Sequence, residues 1–140
     1  MDIKRLRELA GNSQTKIIGY HASDKAAITS ILSRGFVERN NSIWFNTDPN
    51  IGIDDGDSYI IRAALSMENP WRYGDTNDDF DPDNHHDILQ MAALGYDAWI
   101  GESNVGVGDD VVVFSARQVC NIQYYGHRVI IDGHKVVYQR

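Results

Sequence analysis

Asp110 opens the run Val111-Val112-Val113-Phe114, directly after Asp109. Three valines and a phenylalanine suit a pleated, buried strand. A carboxylate at the mouth of such a strand is aimed by a rigid element and still reaches the rim. That is a good position for chemistry. The same position suits a solvated turn in which Asp109 and Asp110 simply face water. His21 ends a second β-like run, Lys16-Ile17-Ile18-Gly19-Tyr20-His21, and Ser23 follows. On its own, a histidine at a strand end reads as a capping or buried, hydrogen-bonded ring. Trp44 sits in Ser42-Ile43-Trp44-Phe45, where alternation sends one aromatic to a core.

These residues need elements to place them. Residues 2–10 read as a short helix with Ile3, Leu6 and Leu9 on one face, stopped by Gly11-Asn12-Ser13. After the His21 strand, Ser23 or Asp24 offers a cap for a helix carrying Ala26, Ala27, Ile28, Ile31 and Leu32, closed by Gly35. The Trp44 strand is followed by turn residues Asn46-Thr47-Asp48-Pro49-Asn50 and a loop over 51–57. Ser58 to Leu65 reads as a third strand that ends before Asn69-Pro70-Trp71. A helix is expected from Asp87 to Leu94 and a short strand at Ala98-Trp99-Ile100, then a loop from Gly101 to Asp109. Gln118 to Ile122 reads as a strand. Arg128 to Tyr138 reads as a hairpin around Asp132-Gly133. The class is α+β, a small two-sheet sandwich flanked by helices.

The totals narrow the function. The chain has 140 residues, enough for one domain that needs no metal or disulfide to fold. Its net charge is −7 and its pI about 5.0, which disfavours non-specific nucleic-acid binding. Cys120 is the single cysteine, consistent with a reducing compartment. No apolar run approaches a membrane span, and the first residues lack the apolar core of a secretory signal. A cytoplasmic protein is expected. The stretch Asp75 to Asp87 gathers six aspartates with His85 and His86. It departs from the calcium-loop pattern, and adjacent histidines make poor co-ligands, so a solvated acidic loop is expected, with no metal.

Three pieces occur in an order that resembles ADP-ribosyltransferases of the diphtheria-toxin and poly(ADP-ribose) polymerase type. They are Tyr20-His21-Ala22-Ser23 at a strand-to-helix junction, Ile43-Trp44-Phe45-Asn46-Thr47-Asp48-Pro49, and Gly95-Tyr96-Asp97-Ala98-Trp99-Ile100 leading to Asp110-Val111-Val112-Val113-Phe114. The likeness is greatest to compact phage and mobile-element versions, including those within polyvalent proteins. It implies a split β-sandwich of short strands with a few helices. It also implies NAD as substrate and transfer of ADP-ribose to a protein acceptor, here a host protein of a bacterium, in an anti-defence or anti-CRISPR role.

The resemblance assigns roles residue by residue. His21 matches the histidine that bonds a ribose hydroxyl, and Ala22 and Ser23 follow it at the cofactor. Trp44 falls where the family stacks an aromatic on nicotinamide, and Asp110 where it has its catalytic glutamate. Glu102 and Asp109 are alternates for the carboxylate. Three departures stand out: Ala22 replaces a glycine, Asp110 is one methylene short, and the second aromatic is missing after Trp44, with Tyr59 the nearest candidate. The rival reading keeps the fold without turnover, as a binding module that blocks a partner stoichiometrically.

Overall fold

The computed structural model describes residues 15–37, 42–50, 58–103 and 108–139. The helix expected over 2–10, the loop over 51–57 and the middle of the loop before Asp109 lie outside them. Among the described residues eight strands form one hydrogen-bonded sheet. They are β1 (Thr15–Ser23), β2 (Ile43–Asn46), β3 (Ser58–Met67), β4 (Pro70–Arg72), β5 (Ala98–Glu102), β6 (Asp109–Val113), β7 (Val119–Ile131) and β8 (His134–Gln139). Their spatial order is β4-β5-β6-β2-β1-β3-β7-β8. All pairs are antiparallel except β4 with β5. Two helices, α1 (Lys25–Arg34) and α2 (His85–Ala93), complete the described α+β domain.

The expected two sheets are two halves of one sheet. β1 pairs with β3 along its whole length, from Thr15 opposite Met67 to Ser23 opposite Tyr59. It meets β2 only through Tyr20 opposite Asn46. The halves share a core. Ile43, Phe45, Ala98, Ile100, Val111 and Val113 come from one half, and Ala63, Leu65 and Met67 from the other. Val112 points the opposite way, into a second cluster with Trp71, Phe80, Ile88, Met91 and Trp99. β6 is thus buried on both faces, which explains its unbroken valine run. Each of these fully buried valines contributes roughly 1.5–3 kcal/mol over leaving it exposed.

Local chemistry sets most element ends. Asp24, not Ser23, caps α1, accepting from Ala27 N at 2.7 Å. Asn84 caps α2 by accepting from Asp87 N at 3.3 Å, so that helix starts two residues before the expected Asp87. The hairpin turn has Asp132 at φ 51° and Gly133 at φ 78°, as a type I′ turn requires. Three expectations needed correction. Pro70–Arg72 is a short edge strand parallel to β5, with α2 as the crossover. Proline is tolerated there because the first residue of an edge strand need not donate. The two strands expected at 118–122 and 128–131 are one, β7, which follows β3 through two register shifts. Gln118 is not a strand residue. It is half-buried in a 3-10 turn, and its side chain accepts from Ser115 N at 2.9 Å and donates to Asp97 O at 2.9 Å. No described helix is long and apolar enough to cross a membrane.

Candidate active site

Paired residues of neighbouring antiparallel strands share a face. Two rows cross β2, β6 and β5 on the face opposite the first core. Trp44, Val112 and Trp99 form one row, and Asn46, Asp110 and Gly101 the next. The second row opens into a cleft of about 730 Å³ whose lining includes Asp110, Trp44, Trp99, Tyr73 and Phe80. Gly101 keeps this space open: a Cβ there would stand 2.6 Å from the Trp99 ring. Gly101→Ala is expected to push Trp99 off its seat and cost about 1–3 kcal/mol by overpacking. Urea unfolding followed by tryptophan emission reads both effects, and an unchanged midpoint would show that the ring yields freely.

Asp110 is half-buried and held from two sides. Asn46 Nδ2 donates to its Oδ1 at 3.1 Å, and the Ser103 side chain also hydrogen-bonds it. Burial pushes its carboxyl above the ordinary range. The two hydrogen bonds pull it back, and the charges of Asp109 and Asp83 push it up again. Around it the β2 and β6 ends are laced together. Thr47 N donates to Asp109 O at 3.0 Å, and Asp109 N donates to Thr47 Oγ1 at 2.9 Å. Gly108, at φ 53°, passes so close that a Cβ would lie 2.4 Å from Asn46 Oδ1. Glycine meets both the conformation and the space there.

His21 lies on the other side of Trp44. Its Nδ1 is 2.7 Å from the Trp44 carbonyl oxygen, and its ring packs edge-on against Phe36 and Phe45. A carbonyl only accepts, so Nδ1 carries the proton and the neutral ring keeps Nε2 as an acceptor. Burial lowers its pKa, and the bond to Trp44 opposes that shift. His21 and Ser23 line a second cleft of about 600 Å³, with Phe36, Ile31 and His85. Trp44, Pro82 and Asp83 line both clefts. Trp44 also packs on the second cluster, so it is core and cleft wall at once.

Not every expected site residue arrives. Ala22 alternates to the face opposite His21 and Ser23, which leaves only its backbone for a ligand. Tyr59 lines neither of these clefts. It stacks on His127, with ring centroids 4.3 Å apart, and borders a separate groove under α1. Its pairing partner is Ser23, at the far end of β1 from the core, and the neighbouring β7 aromatic captures its ring. Asp109 and Glu102 do border the first cleft.

The acidic stretch is the expected solvated loop, with Asp75, Asp78, Asp79, Asp81 and Asp83 exposed, but Phe80 pins it against the sheet as a wall of the cleft. Phe80 is 6% exposed, and its carbonyl accepts from Trp99 Nε1 at 3.1 Å. Asp81 N donates to Asp87 at 2.8 Å, and Asp83 N donates to Asp81 at 2.9 Å. The main chain at Asp81 and Asp83 is thereby held at the cleft rim, where the exposed Asp79, Asp81 and Asp83 line it. Sequence reasoning missed Asn46, Tyr73 and Phe80 here. The available signal was Phe80, a lone large apolar residue in an acidic run. Among the described residues no group of three or more His, Cys, Asp or Glu side chains could hold a metal ion. No protein-family model and no curated protein sequence matches the chain.

Proposed function

We propose that this chain is a mono-ADP-ribosyltransferase of ADP-ribosyltransferase-like split-sandwich fold, using NAD as substrate and a protein as acceptor. The observation that carries the reading is Trp44 standing between two adjoining clefts, with His21 and Ser23 in one and Asp110 in the other. In this reaction the bond from ribose C1′ to the nicotinamide nitrogen breaks, and its electron pair neutralises the ring. A lone pair of the acceptor forms the new bond to C1′, and the acceptor's proton leaves to solvent. Ionised Asp110 stabilises the oxocarbenium-like ribose between these events. His21 Nε2 accepts from a ribose hydroxyl, and Trp44 offers its ring face to the nicotinamide cation. The carboxylates on the rim favour a basic acceptor segment of a host protein over a nucleic-acid backbone.

The test is labelled NAD in a bacterial lysate, with the native chain beside Asp110→Ala. A labelled band that vanishes in the variant supports the reading; equal labelling by both removes Asp110 from the chemistry. His21→Ala is expected to weaken NAD binding about 10-fold, the loss of one well-placed hydrogen bond. Calorimetric titration of NAD checks this, and an unchanged dissociation constant contradicts the ribose role. One observation favours a second reading, a stoichiometric binding module. Asp79, Asp81, Asp83, Glu102 and Asp109 ring the Asp110 cleft and oppose the pyrophosphate of NAD. Failure of millimolar NAD to raise the thermal midpoint would support that alternative.

A further inference from the structure

Asn46 is a polar side chain only 3% exposed, at the last position of β2 and directly opposite Asp110. Its two ends have different partners. Asp48 N is 2.7 Å from Asn46 Oδ1, and a backbone N–H can only donate, so the amide oxygen must face Asp48. The amide nitrogen is thereby turned toward Asp110, where it donates at 3.1 Å. Asn46 cannot flip without setting two donors against each other and leaving an acceptor facing a carboxylate. Gly108 passes within touching distance of the same oxygen, so the amide has no room to swing aside.

We propose that Asn46 is a positioning residue for the carboxylate of Asp110: its amide, oriented by the Asp48 main chain, fixes the Asp110 rotamer and holds the ionised form ready in the cleft. The catalytic consequence rests on the transferase reading above; the positioning itself does not. The other charged groups lining this cleft are Asp109 on β6, Glu102 on β5, Arg72 on β4, and Asp79, Asp81 and Asp83 on the acidic wall. None of them changes in the variants below. The hydrogen bond from Asn46 opposes the upward push of burial on Asp110, which agrees with this role.

Asn46→Asp separates positioning from scaffolding. Aspartate keeps an oxygen for Asp48 N and nearly the same volume, so the turn survives. It replaces the donor to Asp110 with a second carboxylate. The Asp110 carboxyl, followed by carbon-13 NMR, is expected to titrate about one pH unit or more higher than in the native chain. The acid limb of nicotinamide release should move with it. Asn46→Ala should move the titration in the same direction by less, since it removes the donor without adding charge. It decides the matter if the aspartate variant fails to fold. An Asp110 titration unmoved in a folded variant overturns the proposal. A shifted titration in a chain that never releases nicotinamide sustains the positioning and sinks the transferase reading. Release whose acid limb ignores both variants does the reverse.

Discussion

Asp110→Asn is expected to cut nicotinamide release from NAD about 100- to 1,000-fold, the usual cost of removing one preorganised electrostatic stabiliser. The fold should not suffer. Asn46 still has an oxygen to donate to, and the half-buried charge that the site must tolerate is gone. The folded-state pKa of Asp110 lies above its unfolded value, so the native chain binds that proton more tightly than the unfolded chain does. The group therefore adds stability as pH falls through the window just above the ordinary value of 3.8, and its ionised form is a cost above that window. Asparagine removes the cost, so the thermal midpoint at neutral pH should hold or rise slightly. His21 works the other way. Its folded pKa lies below the ordinary 6.5, so the unfolded chain protonates first and stability is lost as pH falls through that value. For turnover both groups act on the acid side, because Asp110 must be ionised and His21 neutral. The rate should rise with pH along a single acid limb placed above the ordinary aspartate value, with no alkaline loss from either residue. A rate in Asp110→Asn within threefold of native would remove the carboxylate from the mechanism.

The elements carrying this site were legible where local chemistry decides. The valine run, the Ser23-Asp24 capping pair and the Asp132-Gly133 turn each contain their own instruction, in burial pattern, capping oxygen and positive φ respectively, although only the structure shows which of the pair caps. What stayed hidden was chemistry supplied by another part of the chain. Pro70-Trp71-Arg72 has no strand signal of its own and becomes β4 only because β5 offers it an edge. The tract between residues 123 and 127 holds two tyrosines, a glycine and a histidine, and it stays extended because β3 pairs with it through register shifts.

The site divides along the same line. The places of His21, Ser23, Trp44 and Asp110 on their strands were legible from strand ends and alternation, while their roles rest on the resemblance. Asn46 read as a turn residue, and it is one through Asp48 N. Its second bond, to a residue 64 positions away, is written in the register of β2 with β6. Tyr59 was chosen by nearness in sequence, and its ring was captured instead by His127 on β7. Tyr73 and Phe80 reach the cleft on a segment whose aspartates suggested only solvation. The position of that segment depends on where Phe80 and Trp99 lock together.

Trp71→Ala tests that lock and is expected to be the most destabilising single change at a residue outside the proposed chemistry. Trp71 is fully buried on the three-residue edge strand β4. It stacks on Trp99 with centroids 6.4 Å apart, meets Phe80 edge-on at 5.3 Å, and donates from Nε1 to Thr76 Oγ1 at 3.1 Å. Removing it leaves a cavity between β4, β5 and the acidic wall, and the sheet cannot collapse into it without breaking the β5 pairing. The expected cost is about 3–5 kcal/mol, or roughly 10–20 °C in Tm for a domain of this size. Trp71→Phe keeps most of the ring contact and should cost less than half as much. The function should feel the loss before the fold does. With Phe80 unseated, Asp79, Asp81 and Asp83 no longer hold the rim, and the KM for the basic protein acceptor should rise at temperatures where circular dichroism still reports a native sheet. Urea unfolding of both variants gives the energies. A cost below about 1 kcal/mol for Trp71→Ala would mean that the second cluster repacks without it, and that the cleft wall is held by the hydrogen bonds of the acidic segment alone.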